Sequence, residues 1–248
     1  MSEHDIKILI RVPSFPKAAF ALGFDVETLY KDGIIDAVNP TPLFNNTDSY
    51  IPIEEWKAML GDDAAIIPGL EILNHKYPYN QLENVKAYLA AFYAQGAPGA
   101  YLYNYYGHAK SGIWDLTPEK CLEGKRHFIV TNEDCFAFPE ERNKPLPIAI
   151  DTSAERKLLI GKVKPSDKVT LRIDFEGEKA PVLCVGVKTN IHGTPTESIT
   201  LGGNGKTLIL SDYTPYSYDI SGIETDNEIT VKFDGNGTVH YLDLLIEA

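Results

Sequence analysis

Residues 6–103 repeat one local pattern four times: a short apolar stretch that reads as a strand, then a polar or amphipathic segment, then the next apolar stretch. The stretches are residues 6–12, 34–38, 64–70 and 100–103. Nearly continuous apolar runs of this length fit strands covered on both faces, as in parallel sheets. A closed parallel barrel needs eight such units and carries its chemistry at the C-terminal ends of its strands. Four units therefore predict half of a βα barrel. Each stretch also ends on or beside residues with chemical handles: Arg11, Asn39, Glu71 and the run Tyr103, Asn104, Tyr105.

Between these strands the helical signals are local. Asp25 is placed to cap a short helix that Gly33 ends, and residues 53–60 read as a helix closed by Gly61. The clearest helix spans 82–95, where Leu82, Val85, Leu89 and Phe92 share one face and Gly96 follows. Residues 40–50 form a polar loop. Residues 139–147 read as a linker with Pro at both ends. Beyond it the period changes to two: Val169, Leu171, Ile173 and Phe175 alternate with polar residues, and 229–233 and 239–245 behave alike. Glycine-rich turns at 202–205 and 234–237 punctuate this region. The expected fold is thus α/β followed by all-β: a half barrel of the TIM type over 1–145, then a jelly-roll-like β-sandwich over 146–248.

Charge and cysteine usage exclude several functions. The net charge is −12, with no basic stripe, which argues against a nucleic-acid partner. No apolar run approaches a membrane span. Residues 1–5 are polar and lack the basic start of a signal peptide. Cys121, Cys135 and Cys184 have neither disulfide-framework nor zinc-ligand spacing, so no metal and no cofactor is expected. Dinucleotide-binding, P-loop and nucleophile-elbow motifs are absent.

Glu71 is the expected catalytic residue, because it stands where a strand opens into its loop and because glycosidic cleavage runs on carboxylates. A solvated loop carboxylate, or an ion pair with Arg11, is the alternative. Asp48 and Asp115 are the loop acids available as a second carboxylate, without a motif behind either. Tyr103, Asn104, Tyr105 and Trp114 are expected to contact a carbohydrate ligand, since aromatic faces stack on sugar rings and an amide reads hydroxyls. Arg11 and Asn39 join them as expected binding residues, although alternate tyrosines in a strand serve core packing equally well.

Residues 23–38, with Gly23, Asp25, Gly33, Ile34, Ile35 and Asp36, are similar to a recurrent stretch of glycosyl-hydrolase-like TIM-barrel proteins; Tyr30 stands where Trp is commoner. Residues 68–71, the run 95–104, and the pair His127, Phe128 extend the resemblance across roughly 6–150. It implies a carbohydrate-active barrel of a kind usually exported in full-length relatives. The match falls on the family's C-terminal half. The resemblance then implies that the strands present are five to eight, that Glu71 occupies the nucleophile position after strand seven, and that the acid/base partner belongs to the other half. The tail resembles small β-sandwich domains appended to glycosidases. Half a barrel leaves two parallel edges uncovered, so self-association, as a homodimer or otherwise, is also expected.

Overall fold

The computed structural model describes residues 6–42, 46–47, 50–71, 81–103, 112–132, 148–150, 155–176, 182–188, 195–201, 206–207, 216–234 and 237–248. It is a mixture of helices and, mostly, strands. The first elements are β1 (Leu9–Val12), α1 (Pro16–Ala21), α2 (Val26–Lys31), β2 (Ala37–Pro40), β3 (Asn46–Thr47) and α3 (Ile53–Leu60). There follow β4 (Ala65–Ile66), β5 (Gly69–Glu71), α4 (Gln81–Ala94) and β6 (Tyr101–Tyr103). Strands β1, β2 and β4 pair in parallel in that order, and β5 pairs in parallel with β6.

The third apolar stretch is therefore two short strands rather than one. Pro68 lies at the break, where a residue without an N–H cannot extend a ladder. Asn39 bridges the gap: its Nδ2 donates to the Ile67 carbonyl at 2.6 Å, while its Oδ1 accepts from Thr41 Oγ1 at 3.0 Å. A Cβ at residue 69 would sit 1.9 Å from Thr41 Oγ1, so any residue but glycine there forces Thr41 to shift. Beneath the strands, Trp56 of α3 is wholly buried and donates its indole N–H to the Ser14 carbonyl at 2.8 Å. At the opposite end, Asp25 caps α2 by accepting from Thr28 N at 3.1 Å, as expected from the sequence.

A 3₁₀ turn at Ile113–Asp115 and α5 (Pro118–Cys121) lead to β7 (Lys125–Asn132). The remaining strands are β8 (Ile148–Ile150), β9 (Glu155–Leu159), β10 (Lys168–Glu176), β11 (Val182–Lys188), β12 (Pro195–Leu201), β13 (Lys206–Thr207), β14 (Tyr216–Asp219), β15 (Glu228–Asp234) and β16 (Gly237–Glu247). One antiparallel sheet runs β13-β14-β10-β16-β7-β3, with β8 also on β16; a second runs β12-β11-β15-β9. Buried residues from both sheets join one hydrophobic cluster, an arrangement compatible with a sandwich. The alternation expected in β10 holds, with Val169, Leu171, Ile173 and Phe175 buried. In β16 it is reset: the partner register jumps from Tyr241 to Val239 opposite Asp174 and Phe175, so Val239 and the series Leu242, Leu244, Ile246 are all buried. A bulge adds one residue and flips the parity beyond it.

Two strands that precede the expected linker belong to the larger antiparallel sheet: β7 pairs with β16, and β3 with β7. Helix α4 fixes this junction. Asn84 Nδ2 and Tyr88 Oη each donate at 2.6 Å, to the carbonyls of His127 and Ile129. Donors four apart on a helix are separated by about 6 Å, and carbonyls two apart on a strand by about 6.6 Å. The spacings match, so one helix face satisfies two carbonyls of β7. The Tyr88 ring also packs on Phe128, with centroids 5.7 Å apart. Gly161, at φ +70°, comes so close to Ala90 of α4 that a Cβ would meet that residue's backbone at 3.0 Å.

Candidate site at the parallel strand ends

The parallel register sets the candidate site. Arg11 of β1 lies opposite Asn39 of β2, and Glu71 of β5 lies opposite Tyr103 of β6. Four of the residues singled out in the sequence thus occupy paired positions near the C-terminal ends of parallel strands. The Arg11 guanidinium carbon stands 3.8 Å from the centroid of the Tyr103 ring, which joins the first strand to the last across the sheet interior. A cation over an aromatic face is attracted by the ring quadrupole. Arg11 Nη2 also donates to the Pro42 carbonyl at 3.3 Å, while its Nε, withdrawn from water, meets no acceptor.

Asn39 is buried and engages both ends of its amide within the sheet, so it acts as the strut that carries the strand break. Glu71 is placed by its backbone, in register with Tyr103. Asn104, Tyr105 and Asp48 lie outside the described residues. Trp114 is 70% exposed in the 3₁₀ turn, which packs beside α4. Asp36 accepts from Ile8 N at 2.8 Å and Lys7 Nζ at 3.1 Å; the backbone bond, then the lysine, hold its carboxyl below the usual range.

Other reactive groups are structural. Burial pushes the Cys121 thiol up to about 11, so it is no nucleophile at neutral pH. Arg126, 1% exposed, donates to the carbonyls of Ile160 and Lys162 at 3.0 and 2.8 Å and lies 3.8 Å from Asp167. Arg172 and His127 both approach the buried carboxylate of Asp243, at 2.9 and 2.8 Å. Among the described residues no three His, Cys, Asp or Glu side chains are grouped to hold a metal ion. Among them, too, no helix is long and apolar enough to cross a membrane.

A second recess, of about 490 Å³, opens between α3, α4, α5 and residues 226–228. Glu54, Glu55, Asp226 and Glu228 line it together with Tyr93 and Lys162. Its walls come from segments more than 100 residues apart, which no local pattern in the sequence signals.

No family model matches the chain, and no curated protein matches it. Among solved structures, a disulfide-linked pilus of Bacillus endospore appendages is similar over 49% of this chain and 83% of its own, at 10% identity and a TM-score of 0.25. A GH86 protein in complex with neoagarooctaose is similar at 18% identity and a TM-score of 0.23; 51% of this chain is covered, and it spans 20% of the GH86 chain. A structure of infectious bursal disease virus is similar over 50% of this chain at 14% identity, with a TM-score of 0.20.

Proposed function

We propose that this chain is a saccharide-binding protein of glycoside-hydrolase type, with its ligand at the C-terminal ends of β1, β5 and β6. The observation that carries the reading is the contact between Arg11 and Tyr103, set in the sheet opposite Asn39 and Glu71. Functional groups from separate parallel strands converging at their C-terminal ends are the hallmark of a barrel-type site. In this reading residues 1–145 form half of a βα barrel and residues 146–248 the appended sandwich, with β7 shared between them. Tyr103, with Asn104, Tyr105 and Trp114, supplies stacking and hydroxyl recognition; Asn39 holds the strand ends in place.

Glu71 is the proposed nucleophile or base. Glycosidic cleavage needs a second carboxylate about 5–10 Å away as acid, the part for which the loop acids Asp48 and Asp115 are the candidates on this chain. Hydrolysis of aryl glycosides by the wild type, abolished in Glu71→Gln, is the expected outcome for a catalytic site. Saccharide binding without turnover, unchanged by Glu71→Gln, would reduce the function to a binding module. Absence of both in isothermal titration against an oligosaccharide panel overturns the reading.

A second proposal concerns association. Ile6, Ile8, Leu9, Phe20, Leu22, Phe24 and Ile34 are exposed, and all lie in the segment that contains the edge strand β1. Among the described strands β1 pairs with β2 alone and β6 with β5 alone, which leaves one parallel edge at each end of the series. Two copies related by a two-fold axis would set β6 of each beside β1 of the other. Light scattering should give a dimer that Phe20→Glu with Ile34→Asp dissociates; a monomeric wild type would exclude it.

A further inference from the structure

We infer that Arg11 anchors a negatively charged group of the ligand, so that the saccharide proposed above is an acidic one, bearing a carboxylate or a sulfate. The sugar rests on that proposal; the charge rests on Arg11 itself.

The chain carries 35 acidic residues against 23 Lys and Arg, and two arginines of the antiparallel region meet carboxylates. Arg126 has two carbonyls and Asp167, and Arg172 has Asp243. Even the surface Lys125 and Lys168 share Glu247. Arg11 stands apart. Half-buried, it has one long hydrogen bond, to the Pro42 carbonyl, and the face of Tyr103. Among the described residues no carboxylate pairs with it, whereas Arg126 and Arg172 each have one; an Nε without an acceptor is common to all three.

A guanidinium keeps its charge at every physiological pH and has five N–H donors in one plane. The contact with the Tyr103 ring holds the guanidinium carbon 3.8 Å from the ring centroid and uses none of the N–H donors as a hydrogen bond; only Nη2 is engaged, by the Pro42 carbonyl. A planar or tetrahedral oxyanion accepts two of them side by side. The attraction also acts in a place partly shielded from water, where it is stronger than at the open surface. An under-satisfied, pre-oriented guanidinium is therefore selective for an oxyanion over a neutral hydroxyl.

Isothermal titration of the full chain with trigalacturonate, its methyl ester and a sulfated oligosaccharide of the same length tests this, beside free acetate and sulfate. The acidic forms should bind about 10–100-fold more tightly than the ester, the range expected of a charge-assisted contact. Arg11→Met should bring the ratio of acid to ester affinity close to one, a ratio that reads the charge whatever the variant does to saccharide binding as a whole, with the thermal midpoint reporting that the chain still folds. Arg11→Lys, which keeps the charge but loses the fork, should restore part of the acid's advantage. The preferred acidic form identifies the group as carboxylate or sulfate. Equal binding of acid and ester overturns the charge assignment and leaves the saccharide reading standing. Acetate or sulfate bound through Arg11 with no oligosaccharide bound leaves the anion anchor and overturns the saccharide. Binding of none of these overturns both.

Discussion

The parallel βα region and the antiparallel region treat apolar surface differently. All the large hydrophobic residues that stand exposed among the described residues precede residue 125, and seven of them fall between Ile6 and Ile34. Among the residues of the antiparallel strands whose side chains are described none is exposed: β10, β11, β15 and β16 each turn alternating apolar residues into the shared cluster. Antiparallel sheets packed face to face cover one another, whereas a parallel sheet needs further units at each edge to finish its covering. The first region thus offers surface and chemistry to something outside itself, and the second provides closure. Yet they are not independent, because α4 and β7 place residues of both in one continuous core.

That continuity can be broken or sharpened by experiment. The largest effect should come from Leu244→Ala, deep in β16, at about 2–5 kcal/mol of stability. Trp56, buried in the parallel region, reports on it from a distance, since Trp114 is already exposed. The fluorescence midpoint of Trp56 should fall together with the loss of β-sheet ellipticity. A Trp56 transition unmoved by Leu244→Ala would make the two regions separate folding units.

Gly69→Ala should cost about 1–3 kcal/mol by overpacking against Thr41, read as a lower midpoint in urea. Thr41→Ala in the same chain should return much of it. Failure of that rescue would relocate the strain from the strand break to some other contact. Tyr88→Phe removes the hydrogen bond to the Ile129 carbonyl and keeps the ring on Phe128. A loss of about 1–3 kcal/mol is expected for the orphaned buried carbonyl. No change would mean that packing alone joins α4 to β7.

The smallest effect is electrostatic. Hydrogen bonds from Lys125 and Lys168 hold the Glu247 carboxyl below its ordinary range, and the bond from Ile8 N, then Lys7, does the same for Asp36. A depressed carboxyl contributes stability that is present above its unfolded value and lost as pH falls through its folded value. Stability should therefore drop as the solution is acidified below the ordinary carboxylate range. Glu247→Gln should flatten that acid limb slightly, with no effect at neutral pH beyond the small contribution of an exposed pair. An acid limb identical in the variant would remove Glu247 from it.

The cap at Asp25 and the helix over 82–95, found as Gln81–Ala94, were legible, and so were the strand stretches except the third, expected as one strand and found as two. So was the placement of Arg11, Asn39, Glu71 and Tyr103 at strand ends, because a parallel register follows from where each apolar run stops. The role of Asn39 was not, since only the break at Pro68 leaves an Ile67 carbonyl for its amide to hold.

By itself, then, the sequence determined what acts between near neighbours: the periods of two and 3.6, the caps and turns, and which residues end each strand. Only the tertiary structure decided that β7 joins the antiparallel sheet, that a bulge resets β16, and that Arg11 lies over Tyr103. The reason is physical. A strand's period says which residues share a face, but the partner that covers the face is chosen by packing among segments far apart in the chain. Arg11 and Tyr103, 92 positions apart and in two different parallel sheets, meet only in the tertiary structure.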